Sequence, residues 1–247
     1  MAGSWKEHGR RVAGAAAAAG SAVVLLLAPP GDGAASTAAT ATTGSGTAPV
    51  AYQAVTGSNW SGWVAAGAGL STVSAAWTVP AVRCGAPTQV VGPWVGLGGI
   101  ATNSVQQTGL EITCASGKPV YRAWYETAPE PPVYHPDPVA PGDRMTASVR
   151  RTATGYTLTV ADTTRGWTRT AHTPLHQDDH ASAEVVVESP TGAFPAFGSL
   201  TITGATVDGR PLASARPVSF ESGTGGVRQT RTGAVSGGTF TVTYLHE

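Results

Sequence analysis

Short stretches of alternating apolar and polar residues dominate this chain after residue 50, and they restrict its fold more than any other feature. Such alternation is typical of strands with one buried face, whereas an amphipathic helix needs a period of 3.6 residues, which is nowhere sustained there. Gly, Pro and Asp separate the stretches, and Thr154-Gly155 and Asp208-Gly209 are typical of hairpin turns. The predicted strands cover residues 72–79, 90–97, 105–112, 120–125, 144–150, 156–161, 181–188, 199–207 and 239–245.

This number of short strands predicts an all-β fold, an antiparallel sandwich or barrel. No domain break or internal repeat interrupts the strands, so we expect a single domain over residues 51–247. Charged residues make up 12% of the chain and the net charge is zero. That balance argues against a nucleic-acid partner and against an anionic membrane surface.

The first fifty residues are expected to lie outside this domain. Three basic residues precede an apolar run over 12–28, and small residues follow it. This order is typical of a secretory signal peptide over residues 1–35, with a retained membrane anchor as the alternative. Residues 36–50 are mainly Ala, Thr, Gly and Ser without periodicity, which indicates a low-complexity linker or a short propeptide. We therefore expect a secreted protein that leaves the membrane once the signal peptide is removed.

Export makes a disulfide between Cys84 and Cys114 the expected state of the two cysteines, whereas in the cytosol they would more often be free thiols. A bridge would close a loop of about 30 residues and would stabilise the fold by about 3 kcal/mol through chain entropy. A nucleophilic cysteine is the alternative, but neither residue has an obvious partner nearby in the sequence.

Three predicted strands each carry acids, an amide or a Trp on one of their two faces, because side chains alternate along a strand. If the three strands belong to one sheet, these faces combine into one groove. Carboxyl groups beside Trp rings would be partly desolvated, which raises their pKa and suits them to acid–base chemistry. The alternative is the solvated polar face of an ordinary sheet. The side chains concerned are Gln107 and Glu111, then Arg122, Trp124 and Glu126, then Glu184 and Glu188.

Five short motifs occur in an order that resembles the glutamic peptidases, the eqolisin or G1 family, and in particular its bacterial branch. They are N-W-x-G at 59–62, W-V-G at 94–96, Q-T-G at 107–109, A-W-Y-E at 123–126 and A-E-x-x-x-E at 183–188. The resemblance covers roughly residues 56–245 and implies a β-sandwich of two curved antiparallel sheets, of the lectin or glucanase kind. It further implies an endopeptidase that cleaves polypeptides at acidic pH without a metal or another cofactor, and we expect a monomer.

The resemblance assigns the chemistry to Gln107 and Glu188. Ionised Glu188 would take a proton from the attacking water and return it to the leaving amine, and the Gln107 amide would stabilise the oxyanion. Gln106 is excluded because its side chain points to the opposite face of the strand. Six further residues are expected by position to line the cleft and hold the substrate: Trp60, Trp94, Glu111, Trp124, Glu126 and Glu184.

Two residues depart from the family's pattern. Gly98 stands where the family usually has an Asp, and Val185 stands where it usually has an aromatic residue. The Gly98 change keeps an inactive homologue as an alternative. A glucanase-like enzyme that uses Glu184 and Glu188 is a second alternative. A lectin-like module that binds sugars through its Trp residues is a third.

Three histidines with a spacing of four, His172, His176 and His180, would suggest a metal site if they lay on a helix. Pro174 and the lack of apolar periodicity instead predict a solvent-exposed loop, and we expect no metal site.

Overall fold

The structure is a computed structural model that describes residues 54–100, 104–175, 181–224 and 226–246. Within these ranges the chain is nearly all β, as predicted, and the helical element is one short 3₁₀ turn, Leu212–Ala215. The predicted signal peptide, the 36–50 segment, His176 and His180 lie outside the described residues. The strands in chain order are β1 (Ala54–Ser58), β2 (Trp60–Ala66), β3 (Thr72–Thr78), β4 (Val90–Gly98), β5 (Val105–Ala115), β6 (Lys118–Thr127), β7 (Val133–Tyr134), β8 (Arg144–Arg151), β9 (Gly155–Asp162), β10 (Trp167–Pro174), β11 (Ser182–Glu188), β12 (Ser199–Val207), β13 (Arg210–Pro211), β14 (Val218–Thr224), β15 (Val227–Arg228), β16 (Thr230–Thr232) and β17 (Phe240–Tyr244).

The strands form two sheets. The nine-stranded sheet has the order β1-β14-β2-β11-β4-β5-β6-β7, with β15 paired to β14, and the eight-stranded sheet has the order β10-β9-β8-β3-β12-β17-β16, with β13 paired to β12. All pairings are antiparallel except the one between β1 and β14. Strand β11, which comes late in the chain, lies between β2 and β4 at the centre of the nine-stranded sheet. It therefore brings Glu184 and Glu188 beside residues that precede them by about a hundred positions.

The main hydrophobic core lies between the two sheets. Alternate side chains of the central strands point into it, so that Val95, Leu110 and Val185 from one sheet pack with Val149 and Leu158 from the other. Each of these side chains is almost completely excluded from water, which at about 25 cal/mol per Å² makes their burial the main favourable contribution to folding. The opposite face of the nine-stranded sheet is thus turned away from the core.

The structure contains every predicted strand, with bounds that differ by at most three residues. The prediction missed the longer strands β2, β10 and β14 and the short strands β1, β7, β13, β15 and β16. Strand β2 is buried over six consecutive residues and therefore does not alternate, and β10 is an edge strand with mostly exposed residues. The loop prediction for His172 was wrong, because this residue pairs with Thr157 as part of β10. A strand that is polar on both faces lacks the alternation of apolar and polar residues by which strands are recognised.

The disulfide prediction is confirmed. Cys84 and Cys114 are bonded, with their Cα atoms 5.6 Å apart. Cys114 lies near the end of β5 and Cys84 lies in the connection between β3 and β4, so the bridge ties that connection to the nine-stranded sheet.

Candidate active site

The outer face of the nine-stranded sheet, turned away from the eight-stranded sheet, is buried although it carries many polar groups. We call it the tryptophan face, after its second apolar cluster of Trp60, Trp94 and Trp124. On an ordinary sandwich this face would be solvated. Here Gln107 is 5% exposed and Glu188 is 4% exposed. Since buried charges are rare unless they serve a purpose, the face qualifies as a functional site rather than as a solvated surface.

Strand pairing arranges the tryptophan face in three rows that run across the strands. The middle row carries Trp94 and Trp124 and separates the two polar rows. Gln107 and Glu184 share one polar row, and Glu188 and Glu111 share the other. From β2 to β6 the Glu188 row contains Trp60, Glu188, Gly92, Glu111 and Arg122; the Trp94 row contains Gly62, Val186, Trp94, Gly109 and Trp124; and the Gln107 row contains Val64, Glu184, Gly96, Gln107 and Glu126.

The carboxyl of Glu188 is held by one donor from the residue before β2 and by another from the middle of β4. The side-chain amide of Asn59 donates to Oε1 over 2.7 Å, and the indole Nε1 of Trp94 donates to Oε2 over 2.9 Å. Burial raises the pKa of Glu188 to about 7, and the Trp94, Trp60 and Asn59 donors limit that increase because they favour the charged carboxylate. The Trp60 indole makes no hydrogen bond within the described residues, but it lies near enough to contribute to this effect.

The amide of Gln107 is oriented by Glu126, its neighbour across β5 and β6. Gln107 Nε2 donates to Glu126 Oε2 over 2.5 Å, and Gln107 Oε1 has no partner among the described residues. Burial raises the pKa of Glu126 to about 8; the Gln107 hydrogen bond opposes this increase, and the negative charges of Glu188 and Glu111 add to it. The electrostatic influence of Glu188 on Glu126 indicates that carboxyls from different rows share one site.

Glu111 is paired with Arg122 and Tyr134 at the β6 and β7 side of the face. Arg122 Nη2 donates to Glu111 Oε1 over 2.5 Å, and the Tyr134 hydroxyl donates to Glu111 Oε2 over 2.8 Å. The Arg122 guanidinium also stacks on the Tyr134 ring, 3.8 Å from its centroid. Each oxygen of this buried carboxylate is therefore satisfied.

Aromatic packing forms the apolar part of the site. Trp60 meets Trp94 edge to face with ring centroids 5.2 Å apart, and Phe220 of β14 lies 5.9 Å from Trp60. Trp94 fits because Gly109 lies opposite it: a Cβ on Gly109 would come within 2.6 Å of the Trp94 Cβ. Aromatic walls of this kind exclude water and strengthen the hydrogen bonds between them. Glu184 is completely buried in the same face, between Val64 and Gly96.

The backbone conformation at position 98 requires a glycine. Its φ is +91°, a region that residues with a Cβ rarely occupy, and a Cβ there would lie 2.7 Å from the carbonyl oxygen of Ser104. The carbonyl of Gly98 accepts a hydrogen bond from Ser182 Oγ at the start of β11. The departure from the family's Asp is thus coupled to a local backbone conformation that an Asp would not fit.

The described part of the chain contains no group of three His, Cys, Asp or Glu residues that could hold a metal ion. Within it, no helix is long and apolar enough to cross a membrane. His172 is exposed on β10 of the other sheet.

All eight residues predicted for the cleft, Gln107 and Glu188 included, lie on the tryptophan face, and Gln106 points into the inter-sheet core. Sequence reasoning missed the contact of Asn59 with Glu188, the pairing of Arg122 with Glu111 and the aromatic contribution of Phe220. For the contact between Asn59 and Glu188, the only signal in the sequence is the position of Asn59 directly before Trp60. The other two depend on strand pairing, which alternation within one strand does not reveal.

A sandwich of two β-sheets that buries a glutamine amide and several glutamate carboxyls on one outer face fits a class of hydrolase, the glutamic peptidases. Residues 58–244 match the model of the Peptidase A4 family. The chain belongs to this family, whose members are also called eqolisins, and it is a glutamic endopeptidase.

Individual relatives agree with this assignment. The chain is 29% identical over 221 residues to Aspergillopepsin-2 of Aspergillus niger, a match that covers 76% of this chain and 78% of the relative. Its fold is similar to scytalido-glutamic peptidase solved with a transition state analog inhibitor, with a TM-score of 0.68, 25% identity and coverage of 76% and 98% of the two chains. Aspergilloglutamic peptidase from Aspergillus niger gives a TM-score of 0.56, 30% identity and coverage of 64% and 99%.

Proposed function

We propose that this protein is a secreted endopeptidase that hydrolyses polypeptides with Glu188 as general base and acid and Gln107 as the oxyanion donor. The observation that carries the proposal is the placement of a buried carboxyl and a buried amide on one face, each fixed by its own hydrogen bonds. Such fixed polar groups in a water-poor site are what amide hydrolysis requires, because they need no reorganisation when charge develops.

In the proposed reaction, the Glu188 carboxylate removes a proton from water as the water oxygen attacks the scissile carbonyl carbon. The free N–H of Gln107 Nε2 donates to the oxyanion of the tetrahedral intermediate, while its other N–H stays bound to Glu126. Glu188 then transfers the proton to the amine nitrogen, the C–N bond breaks, and the carboxylate is regenerated with the two peptide products.

The acidic working pH stays a prediction from the resemblance, and the burial of Glu188 sets a condition on it. With a pKa of about 7, only roughly one Glu188 carboxyl in a thousand is ionised at about pH 4. General-base catalysis at that pH therefore requires that substrate binding lower the pKa of Glu188. Hydrogen bonds donated to the carboxylate by the bound water and by the substrate amide would have this effect. The pH dependence of kcat then differs from that of kcat/KM.

Secretion and the polypeptide substrate are part of the proposal. The charge and hydropathy pattern of residues 1–35 supports export, and so does the disulfide between Cys84 and Cys114. Membership of a peptidase family supports polypeptides as substrates. We expect the mature protein to act as a monomer without a cofactor.

The test is degradation of a denatured protein by the purified enzyme from pH 2 to pH 8, with and without EDTA. We expect cleavage that EDTA does not affect and that Glu188→Gln abolishes. Gln107→Ala should lower kcat by about 10²–10³, the usual effect of removing one oxyanion donor.

Glu184→Gln is the matched control on the same strand. It removes a buried carboxyl of the other polar row and should reduce activity much less than Glu188→Gln. Loss of activity in Glu184→Gln with retention in Glu188→Gln would reverse the assignment of the two glutamates. Normal activity in Glu188→Gln and Glu184→Gln would refute catalysis by either glutamate of β11.

A further inference from the structure

Arg122 is the one cation among the fifteen residues of the three rows, in a face that otherwise carries the carboxyls Glu111, Glu126, Glu184 and Glu188. Arg122 neutralises the buried Glu111, whereas burial favours the protonated forms of Glu126 and Glu188. The chemistry proposed above leaves Arg122 without a role in the reaction.

The guanidinium is held in one orientation. It donates through Nη2 to Glu111 on one side and stacks on the Tyr134 ring on another, while Tyr134 itself is bound to Glu111. A guanidinium fixed in this way loses less conformational entropy when it binds a ligand than a free side chain would.

Arg122 is the more exposed residue of its ion pair with Glu111. Glu111 is 3% exposed, whereas the side chain of Arg122 is 34% exposed. One guanidinium nitrogen is occupied by Glu111, and Arg122 offers more donors than that carboxylate uses. A ligand that approaches this end of the face therefore meets a cation, although the pair as a whole is neutral.

Arg122 lies in the same row as Glu188, three strands away. At a strand spacing of about 4.8 Å this is roughly 14 Å, which an extended peptide spans with about four residues. A polypeptide that crosses the strands with its scissile bond at Glu188 would thus bring a residue three to four positions away to Arg122.

We propose that Arg122 is a specificity-determining residue that binds a carboxylate of the substrate, three to four residues from the scissile bond. The proposal rests on the function proposed above and adds a subsite to it. The carboxylate comes either from an Asp or Glu side chain or from the C-terminus of a short peptide. Arginine binds both through the same charge-assisted hydrogen bonds.

The test uses fluorogenic peptides that carry Glu or Gln in turn at each of five positions on either side of the scissile bond, each with a free or an amidated C-terminus. We expect a preference of about three- to tenfold in kcat/KM for the charged peptide at one position or for the free C-terminus, mainly through KM. The preference should disappear near pH 3, where the substrate carboxyl is protonated.

The readout is the ratio of kcat/KM for the charged peptide to kcat/KM for the uncharged peptide within one variant, so it does not depend on the absolute rate. Arg122→Gln should bring the ratio to about one. Because this change leaves Glu111 buried without its cation, the double variant Glu111→Gln with Arg122→Gln provides a second measurement without a buried charge. Arg150→Gln, on the exposed face of β8 in the other sheet, should keep the wild-type ratio.

A ratio near one for every wild-type peptide would overturn the proposal, as would a ratio that both Arg122 variants retain. The same peptide pairs are also titrated against Glu188→Gln by fluorescence anisotropy, which requires no turnover. A charged-peptide preference in binding without any cleavage by the wild type would uphold the subsite and refute the proposed catalysis. Cleavage without a preference for the charged peptide would refute the subsite and uphold the proposed catalysis.

Discussion

Raising the pH from 5 to 8 should destabilise this protein through Glu188. Its carboxyl is buried, and its pKa increases from 4.5 to about 7 on folding. In this window the folded state binds more protons than the unfolded state, so the free energy of unfolding decreases as the pH rises. A difference of 2.5 pKa units at about 1.4 kcal/mol per unit corresponds to about 3 kcal/mol over the whole window.

The measurement is chemical denaturation at pH 5 and pH 8 of the wild type and of Glu188→Gln. Other groups also titrate, and the comparison removes their contributions apart from the effect of the Glu188 charge on Glu126. Glu126 changes stability in the same direction as Glu188, whereas the lowered pKa of His135 makes the folded state more stable as the pH rises. We expect the variant to gain about 2 to 3 kcal/mol relative to the wild type between pH 5 and pH 8. An equal pH dependence in both proteins would refute a raised pKa for Glu188.

Three further predictions follow from the same structure. The specificity constant kcat/KM should decrease about tenfold per pH unit below the pKa of Glu188 in the free enzyme, about 7, whereas kcat should stay high to lower pH; the same pH dependence in kcat and kcat/KM would contradict a pKa that substrate binding lowers. Replacing Cys84 and Cys114 by Ser should cost about 3 kcal/mol of unfolding free energy, measured by urea denaturation. Gly98→Asp should lower the melting temperature and should not increase activity, because the backbone has φ +91° there; a more active, equally stable variant would show that the missing Asp alone limits catalysis.

Alternation along the chain was enough to predict the strands that have one face in the core. Strand β9 is an example, with Leu158 and Val160 buried and Thr157 and Thr159 at the surface. The prediction failed at β2, whose Trp60 to Ala65 segment is buried on both faces and so has no period of two. The alternation of apolar and polar residues therefore identifies strands with one buried face, and it does not identify strands that are buried on both faces.

The candidate residues of the site could be predicted, and their mutual arrangement could not. The motifs around Gln107 and Glu188 indicated which side chains share a face of their own strands, and pairing then placed Gln107 in the row of Glu184 rather than in that of Glu188. Register depends on contacts between distant segments, to which the pattern within one strand is insensitive. The hydrogen bond between Asn59 and Glu188 is of this kind.

That hydrogen bond joins residues 129 positions apart, and it forms only when β11 has entered the sheet between β2 and β4. Contacts of such long sequence separation form late, because much chain entropy must be lost first. A partly folded chain therefore has its Glu188 in water, unsupported by Asn59 and Trp94, and under the proposed mechanism its catalytic pair is not yet assembled. The proposed catalysis would therefore begin only once β11 has completed the central sheet.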